Sequence, residues 1–245
     1  MKIIAGNWKM NSGYEENRQR LKDIAETACT DYNKVIVFPP FISLKDAVDL
    51  TADSDVEVGA QNCYPGDFGA YTGEISGEML KELGCAYCLV GHSERRQYFK
   101  EDDDFLKAKI VSLWEKGIVP VFCVGETLEQ REAGRFCAVL TSQLKKVLAG
   151  LEVTKDNLII AYEPVWAIGT GVTATPEQAN EAMAFIRRVL KESKLPDDLY
   201  LLYGGSAKPG NAEELLSEDN IDGLLIGGAS LKPQDFAAMT KCRGK

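Results

Sequence analysis

The sequence lacks several features that mark nucleic-acid-binding, membrane and secreted proteins. Its 245 residues carry 28 lysines and arginines against 37 aspartates and glutamates, so the formal net charge is −9. This acidic balance disfavours a nucleic acid or an anionic membrane as a partner. No segment approaches the roughly 20 apolar residues that span a bilayer, and Met1–Gly6 lacks the apolar stretch of a signal peptide. We therefore expect a cytoplasmic protein with neither kind of partner.

Metal-binding patterns are equally sparse. The chain has one histidine and seven cysteines, and only Cys85 and Cys88 form a C-x-x-C pair. A metal site of this type needs a second pair or nearby histidines, so we expect no metal. The odd number of cysteines and their apolar surroundings predict reduced, buried thiols.

No stretch rich in proline, glycine or serine divides the chain, which predicts one domain over residues 1–245. What recurs instead is a short run of β-branched and aromatic residues, almost continuously apolar and so typical of strands buried on both faces. The eight runs are Lys2–Asn7, Lys34–Phe38, Val56–Ala60, Tyr87–Val90, Val119–Val124, Leu158–Tyr162, Leu199–Tyr203 and Asp222–Ile226.

Amphipathic segments lie between these runs and predict helices, among them Glu15–Cys29, Glu129–Leu148 and Pro176–Lys191. The last begins with Thr175, Pro176 and Gln178, which supply an N-cap, a proline at the first helical position and a capping box. Strict alternation of strand and helix implies right-handed crossovers and a parallel sheet. Eight such units in a chain of this length predict an α/β fold, a closed (β/α)8 barrel.

Polar and small residues gather just after the predicted strands. In such barrels the carboxyl ends of the strands and the loops after them carry the chemistry, so these residues mark a candidate active site. They are Asn7, Lys9, Gln61, Asn62, His92, Cys123, Glu126, Glu163, Ser206, Gly227 and Gly228.

Three of these side chains have acid–base or electrostatic potential. Lys9 could balance a phosphate or a developing oxyanion, or it could be a solvated residue at a strand end. His92 precedes a predicted helix with Ser93 as N-cap; that helix end would favour a neutral, proton-donating ring, although a structural histidine fits the position equally well. Glu163 lies at the mouth of an apolar barrel, where partial desolvation would raise its basicity.

The segments that follow the sixth, seventh and eighth strands predict a covered phosphate site. Pro164–Ala174 is a long apolar loop with small residues near its far end, which suits a hinged lid better than a plain surface loop. Tyr203–Lys208 and Gly227–Ser230 are two consecutive glycine-rich turns. Their backbone N–H groups could approach an anion closely, and this part of the rim is a common phosphate site.

Five segments together resemble the triosephosphate isomerases, in order from the first strand to the last. They are Ala5–Asn11, Gly91–Arg96, Ala161–Gly171, Tyr203–Ser206 and Gly227–Ser230. The resemblance implies a cofactor-free aldose–ketose isomerase of glycolysis and gluconeogenesis. Its substrates would be the phosphorylated trioses dihydroxyacetone phosphate and glyceraldehyde 3-phosphate, interconverted through an enediolate.

The resemblance also implies a role for each site residue. Glu163 would match the family's base and His92 its neutral electrophile, an established pattern rather than a deduction from this chain. Lys9 and Asn7 would stabilise the oxyanion, and Glu94 would stand beside Lys9. Phosphate would be bound by Gly169, Ser206, Gly227 and Gly228, and the base would be enclosed by Ile168 and Leu225.

A homodimer is implied in the same way. Gly69–Ser76 resembles the family's interdigitating loop, which enters the neighbouring subunit. Thr72 would then lie near Asn7 and Lys9 of the partner subunit, with Arg95 and Glu101 bracing it.

Two rival functions are weaker. Methylglyoxal formation from the same enediolate would need a lid that lets phosphate leave, and this lid looks intact. A non-catalytic barrel kept for binding alone would not need Lys9, His92 and Glu163 together.

Overall fold

Eight parallel strands close into a barrel in chain order, with β8 bonded to β1. The computed structural model describes residues 1–168 and 174–244. The strands are β1 (Lys2–Asn7), β2 (Asn33–Phe38), β3 (Val56–Ala60), β4 (Tyr87–Val90), β5 (Val119–Val124), β6 (Ile159–Tyr162), β7 (Tyr200–Tyr203) and β8 (Gly223–Ile226). The predicted (β/α)8 barrel is confirmed. Each predicted strand ends at the observed residue, and each begins within one residue of the observed start.

Helices connect successive strands around the outside of the barrel. Those in the described residues are α1 (Tyr14–Thr27), α2 (Leu44–Thr51), α3 (Gly77–Leu83), α4 (Ser93–Tyr98), α5 (Asp103–Glu115), α6 (Leu128–Glu132), α7 (Phe136–Leu148), α8 (Pro176–Glu192), α9 (Pro209–Leu216) and α10 (Pro233–Thr240). Short 3-10 turns occupy Phe41–Ser43, Val165–Ala167 and Gly228–Leu231. Every helix in this part of the chain is too short or too polar to cross a membrane.

The helix boundaries confirm one prediction and correct another. The capping box at Thr175 and Gln178 is present at the start of α8. The single helix predicted over Glu129–Leu148 is wrong, because α6 stops at Glu132 and α7 begins at Phe136. Between them Gly134 adopts a φ of +67°, a left-handed conformation that glycine allows and that ends a helix.

Two layers of side chains explain why the strands are apolar on both faces. Alternate residues of each strand point in opposite directions. Ile3 and Ala5 of β1 join a cluster inside the barrel with Phe38, Leu89 and other inward residues. Ile4 belongs instead to the larger cluster packed between strands and helices. The closed interior leaves only the rim for polar chemistry.

All seven cysteines have free thiols, as expected, but they are not all buried. Cys63, Cys85, Cys88 and Cys123 are buried, whereas Cys137 is exposed on α7. Burial raises the pKa of the Cys85 thiol to about 11. No group of three histidine, cysteine, aspartate or glutamate side chains within residues 1–168 and 174–244 is arranged to hold a metal.

Candidate active site

A cavity of about 480 Å³ opens at the carboxyl ends of the strands. It brings together residues that the sequence separates by more than 200 positions. Its lining includes the predicted residues Asn7, Lys9, His92, Glu163, Ile168, Ser206, Leu225, Gly227 and Gly228. Asn11, Lys208 and Leu231 also line it. The predicted Gly169 lies outside the described residues.

Lys9 is held in an unusual backbone conformation directly after β1. Its φ of +53° falls in the left-handed region, which is costly for a residue with a side chain. Gln61, which follows β3, donates from Nε2 to the carbonyls of Lys9 at 2.9 Å and of Phe38 at 2.8 Å. The Lys9 ammonium contacts Glu94 Oε1 at 2.6 Å, and its backbone N–H donates to Asn7 Oδ1 at 3.0 Å. This geometry fixes the direction of the ammonium and gives Gln61 a supporting role that its sequence position alone did not reveal.

His92 itself caps the helix that follows it. Its Nδ1 accepts a hydrogen bond from the Glu94 backbone N–H at 3.3 Å, and α4 begins at Ser93. The expectation that Ser93 is the N-cap is therefore wrong by one residue. Because Nδ1 accepts, the neutral ring carries its proton on Nε2, the nitrogen that faces the cavity.

Glu163 is buried at the end of β6, with a relative exposure of 2%. Its Oε1 lies 2.8 Å from His92 Nε2, and its Oε2 accepts from the Ser93 N–H at 2.8 Å. The backbone around it needs a glycine at position 125, since a Cβ there would lie 1.8 Å from the Glu163 carbonyl oxygen. Each oxygen of the Glu163 carboxylate thus has one partner in the free protein, His92 Nε2 for Oε1 and the Ser93 N–H for Oε2.

Two glycine-rich turns also line the cavity, and the one after β7 lies close to Glu163, since a Cβ on Gly204 would lie 3.1 Å from Glu163 Cγ. The turn after β8 is the 3-10 segment Gly228–Leu231, in which the buried Ser230 donates from its hydroxyl to the Gly227 carbonyl at 2.7 Å. A Cβ on Gly227 would meet Lys9 Cε at 3.8 Å, and one on Gly228 would meet nothing within 4 Å. Exposed N–H groups of such a turn can bind an anion.

Comparison with known proteins decides the family. The family model for triosephosphate isomerase matches residues 2–243. The chain belongs to the triosephosphate isomerase family. Triosephosphate isomerase of Dictyoglomus turgidum is 47% identical over 240 residues, which cover 96% of both chains. That of Fusobacterium nucleatum is 46% identical over 98% of this chain and 97% of its own. That of Legionella pneumophila is 47% identical over 98% of each.

The electrostatics of the pair Glu163–His92 differ from the sequence-based expectation. Burial alone lowers the pKa of His92, but the charge of Glu163 and the hydrogen bond to it outweigh that effect, and the net pKa is raised. Burial alone raises the pKa of Glu163, but the charge and hydrogen bond of His92 and the Ser93 N–H outweigh it, and the net pKa is lowered. In the free protein both net directions are therefore opposite to those that burial alone would give, because each group is the other's partner.

The segment that leads from Glu163 into the predicted lid is anchored on a buried carboxylate. Glu126 Oε1 accepts from Tyr162 Oη at 3.1 Å, Trp166 Nε1 at 2.9 Å and Arg131 Nη1 at 2.9 Å. The 3-10 turn Val165–Ala167 follows, and Ile168 reaches the cavity. The sequence shows only that Glu126 follows a strand. Its anchoring role comes from its contacts with Tyr162, Trp166 and Arg131 in the folded protein.

The predicted interface residues lie outside the catalytic cavity. Thr72 is exposed on its loop. Arg95 Nε contacts Glu101 Oε1 at 2.7 Å, and the fully buried Lys109 contacts the same oxygen at 2.6 Å. A second cavity of about 590 Å³ connects this cluster to the site, because Arg95 and Glu94 line it together with Lys9.

Proposed function

We propose that this protein interconverts dihydroxyacetone phosphate and glyceraldehyde 3-phosphate through an enediolate, as a cytoplasmic enzyme of glycolysis and gluconeogenesis. Full-length relatives at 46–47% identity support this activity. The observation that carries the mechanism is that Glu163, His92 and Lys9 line one cavity together with two glycine turns. The reaction moves protons between neighbouring carbons and oxygens without net oxidation, so its chemistry needs no redox cofactor.

Glu163 acts as the base in this proposal. In the free protein its oxygens are held by His92 and Ser93, so the carboxylate must leave both donors to reach a substrate carbon. It then takes a proton from one carbon and returns it to the next. A base can do this only when it lies within about 3 Å of the proton it abstracts.

His92 and Lys9 act on the substrate oxygens. The Nε2 proton that points to Glu163 in the free protein is free to point to a substrate oxygen once Glu163 has moved. Without the carboxylate, burial and the charge of Lys9 lower the pKa of His92 and outweigh the smaller opposite effect of Glu94, which favours a neutral proton donor. Lys9, aimed by Glu94 and assisted by Asn7, stabilises the negative oxygen of the enediolate.

The phosphate group lies against the two glycine turns. Backbone N–H groups of Ser206, Gly227 and Gly228 bind it, together with Gly169 of the lid. Ile168 and Leu225 cover the base and exclude water, which strengthens the electrostatic interactions inside the site.

The same reasoning leads us to propose a homodimer. Met10 is 96% exposed, and Tyr98 and Phe99 are about two-thirds exposed, around the second cavity beside Lys9. Apolar side chains grouped in this way mark an interaction surface. In this proposal a second copy of this chain inserts its loop Gly69–Ser76 there, and Thr72 of that loop would lie near Asn7 and Lys9 of the partner subunit.

A coupled assay with glyceraldehyde 3-phosphate tests the activity, and the same reaction in deuterium oxide tests the proton transfer. We expect deuterium at the carbon that receives the proton. Glu163→Asp withdraws the carboxylate by one methylene, and a misplacement of about 1 Å can cost on the order of 100-fold. We expect that loss in kcat with little change in KM. Glu129→Asp, at an exposed glutamate, is the matched control.

Near-normal turnover of Glu163→Asp would assign the base to another residue. An inactive wild-type protein that is folded and dimeric would contradict the proposed activity itself.

A further inference from the structure

Arg20 of α1 is a buried cation with no part in the chemistry described so far. Its relative exposure is 5%, and arginine is rarely buried unless it is fully paired. Its Nε donates to the Leu231 carbonyl at 2.8 Å, and Nη1 donates to Asn17 Oδ1. Nη2 donates to Ser12 Oγ at 2.9 Å and to Glu16 Oε1 at 2.8 Å. The guanidinium therefore bridges groups that are far apart in the chain.

One of the groups that Arg20 contacts is Ser12, in the turn after β1. Ser12 has a φ of +68°. In the same turn Asn11 donates from Nδ2 to the Trp8 carbonyl at 2.7 Å, and the guanidinium lies 5.0 Å from the Trp8 ring centroid. Trp8 directly precedes Lys9. Arg20 thus contacts Trp8, the residue whose backbone leads directly into Lys9 and its ammonium group.

The second group belongs to the glycine turn after β8. Leu231 is the last residue of the 3-10 segment that begins at Gly228. Leu231 and, from the turn after β1, Asn11 both line the catalytic cavity. The turn after β8 packs tightly against β1 itself, since a Cβ on Gly6 of that strand would lie 3.0 Å from Ser230 Cβ. A small shift of one turn against the other would change the distance between Lys9 and a bound phosphate.

We infer that Arg20 is a positioning residue that fixes the phosphate-binding turn after β8 against the lysine-bearing turn after β1. The inference rests on the proposed function, which assigns the phosphate to Gly227 and Gly228. A planar guanidinium can donate to Leu231 and Ser12 simultaneously in fixed directions, which a lysine ammonium cannot do with the same geometry.

The kinetic consequence follows from where the phosphate sits. Phosphate lies away from the reacting carbons, and the binding energy of such a remote group both holds the substrate and helps to orient it for reaction. We expect loss of contacts to it to raise KM more than it lowers kcat. The inhibition constant of inorganic phosphate, which probes the cradle alone, should rise in parallel.

The test compares Arg20→Met with Lys22→Met, which removes an exposed cation two residues further along α1. For Arg20→Met we expect KM and the inhibition constant of inorganic phosphate to rise about 10-fold each, the equivalent of one charge-assisted hydrogen bond. We expect kcat to change less than about 3-fold. Lys22→Met should leave all three at wild-type values. Arg20→Lys keeps the charge without the bridge and should resemble Arg20→Met.

Three results would overturn the inference: unchanged KM and phosphate inhibition in a less stable Arg20→Met, a fall in kcat alone, or full restoration by Arg20→Lys. If Arg20→Met fails to fold, Arg20→Lys decides, because wild-type constants in that variant contradict a bridging role. A failure of the proposed function would differ from a failure of the Arg20 inference. In that case the wild-type protein itself would lack isomerase activity or would not be inhibited competitively by phosphate.

Discussion

Glu163 and His92 hold each other in a resting arrangement in the free protein. Their 2.8 Å contact satisfies a carboxylate and an imidazole that are both nearly excluded from water. A buried charge is tolerated when it is paired and hydrogen-bonded. Substrate therefore has to replace these contacts, and the phosphate and oxyanion contacts of the cavity are what offset that loss.

At this scale the clearest prediction concerns the titration of His92. Glu163→Gln removes the larger of the two charges that raise the pKa of His92, whereas the smaller effect of Glu94, which raises it, and those of burial and Lys9, which lower it, remain. We expect the pKa of His92 to fall relative to the wild-type protein. Because His92 is the only histidine, its imidazole signals in an NMR titration are free of overlap. An unchanged pKa in Glu163→Gln would contradict the contact between the two side chains.

The same pair makes stability depend on pH in a defined direction. The raised pKa of His92 stabilises the fold fully below its ordinary value of 6.5, and this contribution is lost as the pH rises through the folded value. The lowered pKa of Glu163 contributes above its ordinary value of 4.5 and is lost as the pH falls through the folded value. The difference in unfolding free energy between the wild type and Glu163→Gln should thus be largest between these two values.

The sequence predicts which residues reach the site but not how they pair. Lys9, His92 and Glu163 each follow a recognisable strand, and the barrel topology then brings strand ends to one rim. The contact between His92 and Glu163 depends on the side-chain rotamers of two residues 71 positions apart along the chain, and it reverses both pKa directions that burial alone would give. Gln61 and Arg20 illustrate the same limit, because their partners lie in other turns.

Elements differ in how much of their extent can be predicted. Strands such as β1 and β5 were predicted to the residue because burial on both faces gives an uninterrupted apolar run with sharp ends. The break between α6 and α7 was missed because helical periodicity continues on either side of Gly134. A single glycine is tolerated inside many helices, so its presence does not by itself predict an end.

The lid is the element on which chemical selectivity should depend. The enediolate carries a phosphate on the neighbouring carbon and eliminates it when exposed, giving methylglyoxal. Trp166, in the described start of the lid, donates a hydrogen bond to the buried carboxylate of Glu126. Because this bond holds the start of the lid, we expect closure to involve the segment beyond it. Removing residues 168–172 and joining the ends should slow isomerisation while proton abstraction by Glu163 partly persists.

The measurement is the ratio of methylglyoxal and inorganic phosphate released to triose phosphate isomerised. We expect this ratio to rise in the shortened protein above both the wild-type protein and substrate incubated without enzyme. A slower variant that releases no additional phosphate per turnover would confine the lid to positioning the substrate.

At the scale of the whole molecule, an acidic protein binds an anion through local fields. The net charge of −9 repels a phosphorylated substrate at long range. The cavity, however, is lined by Lys9, Lys208 and the two glycine turns, whose N–H groups are the proposed phosphate donors. Solvent screens the long-range repulsion within about 8 Å at physiological ionic strength, so the near groups dominate binding.

The proposed dimer also belongs to this scale. The conformation of the loop Gly69–Ser76 is stabilised by contacts with Tyr64, which precedes it. The Tyr64 and Tyr71 rings lie 4.3 Å apart, and the Tyr64 N–H donates to the Ile75 carbonyl at 2.8 Å. Such a preformed loop can insert into a partner with little further ordering. On the receiving side, Lys9 and Arg95 line the second cavity, and each is already paired with a carboxylate, Lys9 with Glu94 and Arg95 with Glu101.

Thr72→Arg therefore tests the dimer and its link to catalysis together. The substitution would bring a third cation toward Lys9 and Arg95 of the partner subunit and would overfill a packed contact. We expect weaker dimers in sedimentation velocity and a parallel loss of isomerase activity, both recovering as protein concentration rises. Thr154→Arg adds the same charge at an exposed threonine of another loop and should do neither. A fully active Thr72→Arg monomer would show that Lys9 needs no support from a second subunit, and the proposed insertion of Gly69–Ser76 would then be wrong.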